Sequence, residues 1–166
     1  SSLEGEDIEQ TLVKLLPFSS VREIIIEPLV RFGSRITPLI LPYLQDQDLE
    51  TRKTVVMILG KIGNSKAVPE LTHLLNTEPE LTLYITAALA QIGDHEAFDT
   101  LISLLGYPDV TVRLGAIAAL NSLGHPEMPQ KLLSLLANPD PLVRESAVKI
   151  AGYFAFQECI EALFVC

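Results

Sequence analysis

Tryptophan is absent, cysteine occurs twice, and basic side chains are outnumbered, 12 against 21 acids. Each scarcity excludes a class of function. Without tryptophan, and with only 6% aromatic residues, the chain lacks the stacking platforms on which single-stranded nucleic acid lies. The net charge of −9, with the Lys and Arg scattered, excludes a phosphate-tracking groove, so no nucleic-acid partner is expected. The greasiest stretch, Ile36 to Leu44, is short and holds Pro38 and Pro42. A bilayer-spanning helix needs about 20 apolar residues, so no membrane insertion is expected.

Cys159 and Cys166 would stand about 10 Å apart along one helix, too far for an intramolecular disulfide. That points to a reducing, cytoplasmic compartment. Cys159 reads as a small core residue, and Cys166 as the one candidate reactive thiol, with nothing nearby to activate it. The chain opens on Ser1 and Ser2, with no charged-then-apolar leader. A processed protein or a module of a longer chain is therefore expected. Nucleophile motifs, glycine-rich phosphate loops and Cys-x-x-Cys pairs are missing as well.

What the chain does have is repetition. VREIIIEPLVRFG (Val21 to Gly33), TRKTVVMILGKIG (Thr51 to Gly63), VRLGAIAALNSLG (Val112 to Gly124) and VRESAVKIAGYFA (Val143 to Ala155) superpose almost letter for letter. A weaker copy, LTLYITAALAQIG, runs from Leu81 to Gly93. The second letters are Arg22, Arg52, Thr82, Arg113 and Arg144, at steps of 30, 30, 31 and 31. A fixed period of this length marks stacked supersecondary units, each unable to bury its apolar faces alone.

Within a unit, Asp48-Leu49, Glu78-Pro79, Asp109-Val110 and Asp140-Pro141 mark a helix start, with Asp as N-cap or Pro at the first helical position. Val55, Ile58, Leu59 and Ile62 form one buried stripe, repeated as Ile85, Ala88, Leu89, Ile92 and as Ala116, Ala119, Leu120, Leu123. Gly33, Gly63, Gly93 and Gly124 end this first helix in a left-handed cap. A second helix follows with Leu71, Leu74 and Leu75, repeated as Leu101, Leu104, Leu105 and as Leu132, Leu135, Leu136. Its earlier copy is Ile40, Tyr43, Leu44, and its last is Leu163 with Cys166. Pro28 is expected to kink or shorten the opening helix. Domain boundaries follow: an N-terminal capping helix within 1–17, then repeats at about 18–45, 46–75, 76–105, 106–136 and 137–166 of a single domain.

This pattern of Asp, Arg, an Ala/Leu-rich run, Gly and a Leu-Leu pair resembles the short HEAT-like repeats of the phycobilisome-lyase type, over about Val21 to Cys166. The resemblance implies an all-α fold, an α-α superhelix (HEAT-like solenoid) of about five helical hairpins plus the N-terminal helix. It also implies a structural ladder in which the repeated Arg bonds an acid near the start of a neighbouring unit. Arg52, Arg113 and Arg144 would be its arginines, with Asp48, Asp109 and Asp140 as partners and a break at Thr82.

Three enzyme classes share this scaffold, and the residues bear on each. A HEAT-like di-iron hydroxylase needs several His-Glu pairs; here only His95-Glu96 occurs, in a turn, with His125 about 10 Å away one unit later. Both histidines read as turn residues capping second helices, and no metal or cofactor is expected. HEAT-like DNA glycosylases need a cationic groove, which the charge excludes. The alternative is a lyase or lyase-like subunit handling a tetrapyrrole (bilin) chromophore, whose propionates call for Arg or Lys. Lys131 is the main basic group on the outward faces.

The reading favoured by the residues is a non-enzymatic scaffold or adaptor that binds a partner protein through its curved surface, with the second-helix side as the candidate face. A column at the edge of the stripe (Leu41, Thr72, Ile102, Leu133, Phe164) grows apolar along the chain. Beside it lie short, lightly charged groups. The partner-binding set is Thr72, His73, Asn76, Asp99, Ile102, Ser103, Gln130, Leu133 and Ser134. Packing between repeats is the competing account of the column. The apolar end of the last helix, at Phe164 and Val165, suggests possible self-association there.

Overall fold

Glycine at a left-handed position stops each of the first four first helices, and the fold is organised around those stops. In the computed structural model, Gly33, Gly63, Gly93 and Gly124 have φ of 64°, 70°, 65° and 58°. A side chain there would meet its own backbone, so glycine is the residue that turns the chain at least cost. The structure describes the backbone of residues 2–75 and 77–165, and the side chains of 8–75 and 77–154. The described residues form ten α-helices joined by short 3-10 turns, with no strand among them. The fold is all-α.

Contacts divide the chain into two units, Ser1–Asp94 and His95–Cys166. The first unit holds α1 (Ser2–Val13), α2 (Ser19–Arg31), α3 (Thr37–Ile40), α4 (Leu49–Ile62), α5 (Val68–Leu75) and α6 (Thr82–Ile92). Most of the expected stripes form its core: Ile40, Leu44, Val55, Ile58, Leu59, Leu71, Leu74, Ile85, Ala88 and Leu89 are buried, joined by Leu29 and Ile36, while Tyr43, Ile62, Leu75 and Ile92 are half-buried. The helix starts are partly as expected. Asp48 caps α4, its carboxylate accepting from the amides of Glu50 and Thr51. Glu78 caps nothing through its side chain; Pro79–Leu81 is a 3-10 turn that feeds α6.

Proline shapes α3 and spares α2. Pro42 has no N–H to bond the carbonyl of Pro38, and α3 gives way after Ile40 to the 3-10 turn Leu41–Gln45. Pro28 lies in the last turns of α2 on an exposed face, and the helix runs past it to Arg31. The expected shortening comes to one residue, 13 against 14 in α4.

The second unit holds α7 (Phe98–Ser103), α8 (Val110–Leu123), α9 (Met128–Leu136) and α10 (Pro141–Val165). Leu101, Leu104, Leu105, Ala116, Ala119, Leu120 and Leu135 are buried, as the period requires. Leu123 and Leu132 are only half-buried, and Leu136 departs further at 38% exposed. The third expected repeat, 76–105, has its two helices in different units.

The last repeat differs from expectation. A hairpin was expected over 137–166, but α10 is one helix of 25 residues. The physical reason is residue 155. Where the earlier first helices meet glycine, this one has alanine, which favours continuing the helix over a left-handed turn. The expected second-helix residues Leu163 and Cys166, the Phe164 end of the apolar column, and Cys159 lie outside the described side chains.

Candidate protein-interaction surface

The repeated arginines make a more regular device than the ladder expected of them. Each reaches back to the carbonyls six and five residues earlier, in the turn before its own helix. Arg22 donates to Leu16 O at 2.9 Å and Pro17 O at 3.1 Å. Arg52 donates to Asp46 O and Gln47 O at 2.7 and 3.4 Å. Arg113 does so to Tyr107 O and Pro108 O at 2.7 and 2.9 Å, and Arg144 to Asn138 O and Pro139 O at 2.7 and 2.8 Å. These carbonyls follow the end of a helix and have no intrahelical partner, so the guanidinium satisfies them and fixes the turn.

The acid rungs are fewer and shifted. Arg22, left out of the expected ladder, pairs with Asp48 at 2.6 Å and also donates to Thr51 Oγ1. Arg52 pairs with Glu78 at 3.3 Å, in place of an aspartate. For Arg113 and Arg144 the bonds found are to carbonyls. Asp109 and Asp140 act as caps, accepting from the amides of Thr111 and Leu142 at 2.7 and 2.9 Å. Sequence spacing alone could have found the clamp: the turn before each Arg has nearly constant length.

Capping sets the acidities. The Thr51 hydroxyl, then the amides of Glu50 and Thr51 and the charge of Arg22, hold the Asp48 carboxyl below the usual aspartate range, against some burial. Asp109 is lowered chiefly by the amide of Thr111. Lys149 lowers Glu145.

The two histidines sit closer than expected. Their ring centroids are 5.0 Å apart, tilted at 59°, not about 10 Å. The His125 ring stacks on buried Phe98 at 3.9 Å. Its Nδ1 accepts the amide of Glu127 at 3.3 Å, the task that Asn64 Oδ1 performs for Lys66 at 3.1 Å in the first unit. Among the described residues, no group of three or more His, Cys, Asp or Glu converges as a metal ligand set.

The expected partner-binding residues fall as follows. In the first unit, His73 is exposed and Thr72 half-buried on α5; Asn76 lies outside the described residues. A shallow groove runs beside them between the α3 segment and α5, lined by Pro38, Leu41, Pro42, Lys66, Pro69 and Glu70. In the second unit, Asp99 and Ser103 on α7 and Gln130 and Ser134 on α9 are exposed, and Ile102 is half-buried. Leu133 is 73% exposed, more than any other large apolar side chain described. Packing between repeats therefore does not account for Leu133.

A model of HEAT repeats matches residues 9–87 and again 76–149. The chain belongs to the HEAT-repeat family. No curated protein matches it. HEAT repeats typically mediate protein–protein interaction, which makes the outward helix faces the natural place to look for function. No described helix is long and apolar enough to cross a membrane.

Proposed function

We propose that this HEAT-repeat protein is a non-enzymatic scaffold or adaptor that binds a partner protein through its second-helix faces. The observation that carries the reading is Leu133. A leucine 73% exposed, on a helix whose neighbouring outward residues are Gln130 and Ser134, is an anchor with a short polar rim. Ile102, Ser103 and Asp99 offer the same chemistry on α7. In the first unit, the groove at Leu41 and Pro69, with Thr72 and His73, is a second such face. Short side chains leave little rotamer entropy to lose, so a partner docks on a preformed surface.

The test is capture and identification of partners from the source organism with wild-type protein, Leu133→Asp, and Ser103→Glu with Ser134→Glu. Ala118→Glu, exposed on α8, serves as control. Ser103 and Ser134 only bond their own helices, to Thr100 O and Lys131 O, so the fold survives the change. The expected result is a partner lost from the first two proteins and kept by the control. Partners indifferent to Leu133, Ser103 and Ser134 would overturn the proposal. A bilin-handling role would instead show as a visible-spectrum shift on adding bilin, and this reading expects none.

A further inference from the structure

The groove of the first unit has a charge direction along it. Its apolar floor is Pro38, Leu41 and Pro69, and at about 490 Å³ it is open along its length. That shape suits a chain segment lying across the surface better than an enclosed small molecule. Both walls lie inside the array, since α1 packs on α3 and α6 packs on α5. The two inter-helix turns where the walls begin are tied together, Asn64 Nδ2 donating to Thr37 Oγ1 at 3.0 Å. Turn residues at the place of Lys66 in the second unit, Glu96 and Glu127, are exposed as it is. This edge faces outward in each of those hairpins.

Two cations stand at the turn end, one on each side of Pro38. Pro38 lines the groove with Lys66 and, on its other side, a smaller hollow with Arg35. The Arg35 side chain is 68% exposed, and the carboxylate of buried Glu9 holds one corner of its fork. That contact fixes the guanidinium and leaves most of its donors outward, where a carboxylate can meet them. Lys66 is exposed and pairs with no acid among the described residues. Carboxylates lie farther along: Glu70, four residues on from Lys66, and Asp46, beside Gln45 in the next hollow. Neither pairs with a cation among the described residues.

Resting on the reading of this groove as a partner face, we propose that its occupant is a peptide segment with a fixed charge order. Carboxylates at one end meet Arg35 and Lys66, aliphatic side chains lie on Pro38, Leu41 and Pro69, and a cation at the other end reaches Glu70 and Asp46. The proline rings carry no N–H, so the floor rewards apolar contact. Opposite charges at the two ends select one direction of binding, because a reversed segment sets like charges together. A nucleic acid would meet the cations but be repelled by Glu70 and Asp46, which favours the peptide.

A library of random dodecapeptides displayed on phage, selected at low salt on the 166-residue protein, tests this. Enriched sequences are expected to carry Asp or Glu at one end, aliphatic residues between, and Lys or Arg at the other. A synthetic peptide of that sequence should bind Lys66→Glu at least about fivefold more weakly than wild type, with circular dichroism unchanged. Selection on Lys66→Glu should favour Lys or Arg where the wild type favours acids. Leu133→Asp and Ala118→Glu should bind the peptide like the wild type. Enriched peptides without a charge order, or indifferent to Lys66→Glu, would overturn the proposal. So would a single-stranded DNA oligonucleotide that binds more tightly than every selected peptide. Peptides lost from Leu133→Asp but kept by Lys66→Glu would leave the partner reading standing and remove this one.

Discussion

The Cα of Ala88 lies so close to Gly60 that a methyl group there would stand 2.8 Å away, with the Gln91 side-chain oxygen equally near. The glutamine can swing aside, but the α6 backbone cannot. Gly60→Ala is expected to be destabilising, because overpacking at about 1–3 kcal/mol exceeds the roughly 0.5–1 kcal/mol gained in helix propensity. Gly152→Ala, at the equivalent position with nothing within 4 Å among the described residues, is expected to be stabilising by about 0.5–1 kcal/mol. Urea melts of dilute protein compare the two. Equal effects would show that the first helices do not pack in the register described.

Two leucines measure the contrast between core and surface without a change of residue type. Leu89 is 1% exposed and Leu133 is 73% exposed. Leu89→Ala is expected to cost about 2–5 kcal/mol, the loss of transfer energy plus the cavity left behind. Leu133→Ala is expected to stay within about 0.5 kcal/mol. Chemical denaturation reads both. A large cost at Leu133 would return it to the core and remove it as an anchor.

Acid is expected to weaken the fold through its caps. Asp48, Asp109 and Glu145 all have folded-state acidities lowered below their ordinary values, by Thr51, by the Thr111 amide and by Lys149 respectively. A lowered carboxyl contributes stability that is fully present above its ordinary value, about 4, and is lost as pH falls through the folded value. Melting temperature should therefore be flat above pH about 5 and fall below pH about 4. In Asp48→Asn that fall should be shallower. An unchanged acid slope would show that the Asp48 cap does not survive in solution.

Lys53 is on the first helix of its repeat, yet its side chain is only 22% exposed, bonded to Glu50 at 2.8 Å and 5.3 Å from the centre of the Tyr84 ring. Thr54 beside it is buried, its hydroxyl bonded to Glu50 O. Charges on the first-helix side are therefore neutral at exposed Ala118 and not at Lys53 or Thr54.

The sequence by itself determined the repeat, the helix starts at Asp48, Asp109 and Asp140, the glycine stops and the leucine stripes. These are local: a cap, a positive φ and a period of three and four act within one turn of chain. Only the tertiary structure decided what each outward residue meets. It placed Arg22 in the ion pair, gave Arg52 a glutamate, and brought His95 to His125, which stacks on Phe98. It also left Leu133 bare and Gly60 covered. Such outcomes depend on a neighbouring helix tens of residues away. The same glycine is thus a packing necessity on α4 and without a close neighbour among the described residues on α10, and no reading of its own helix tells the two apart.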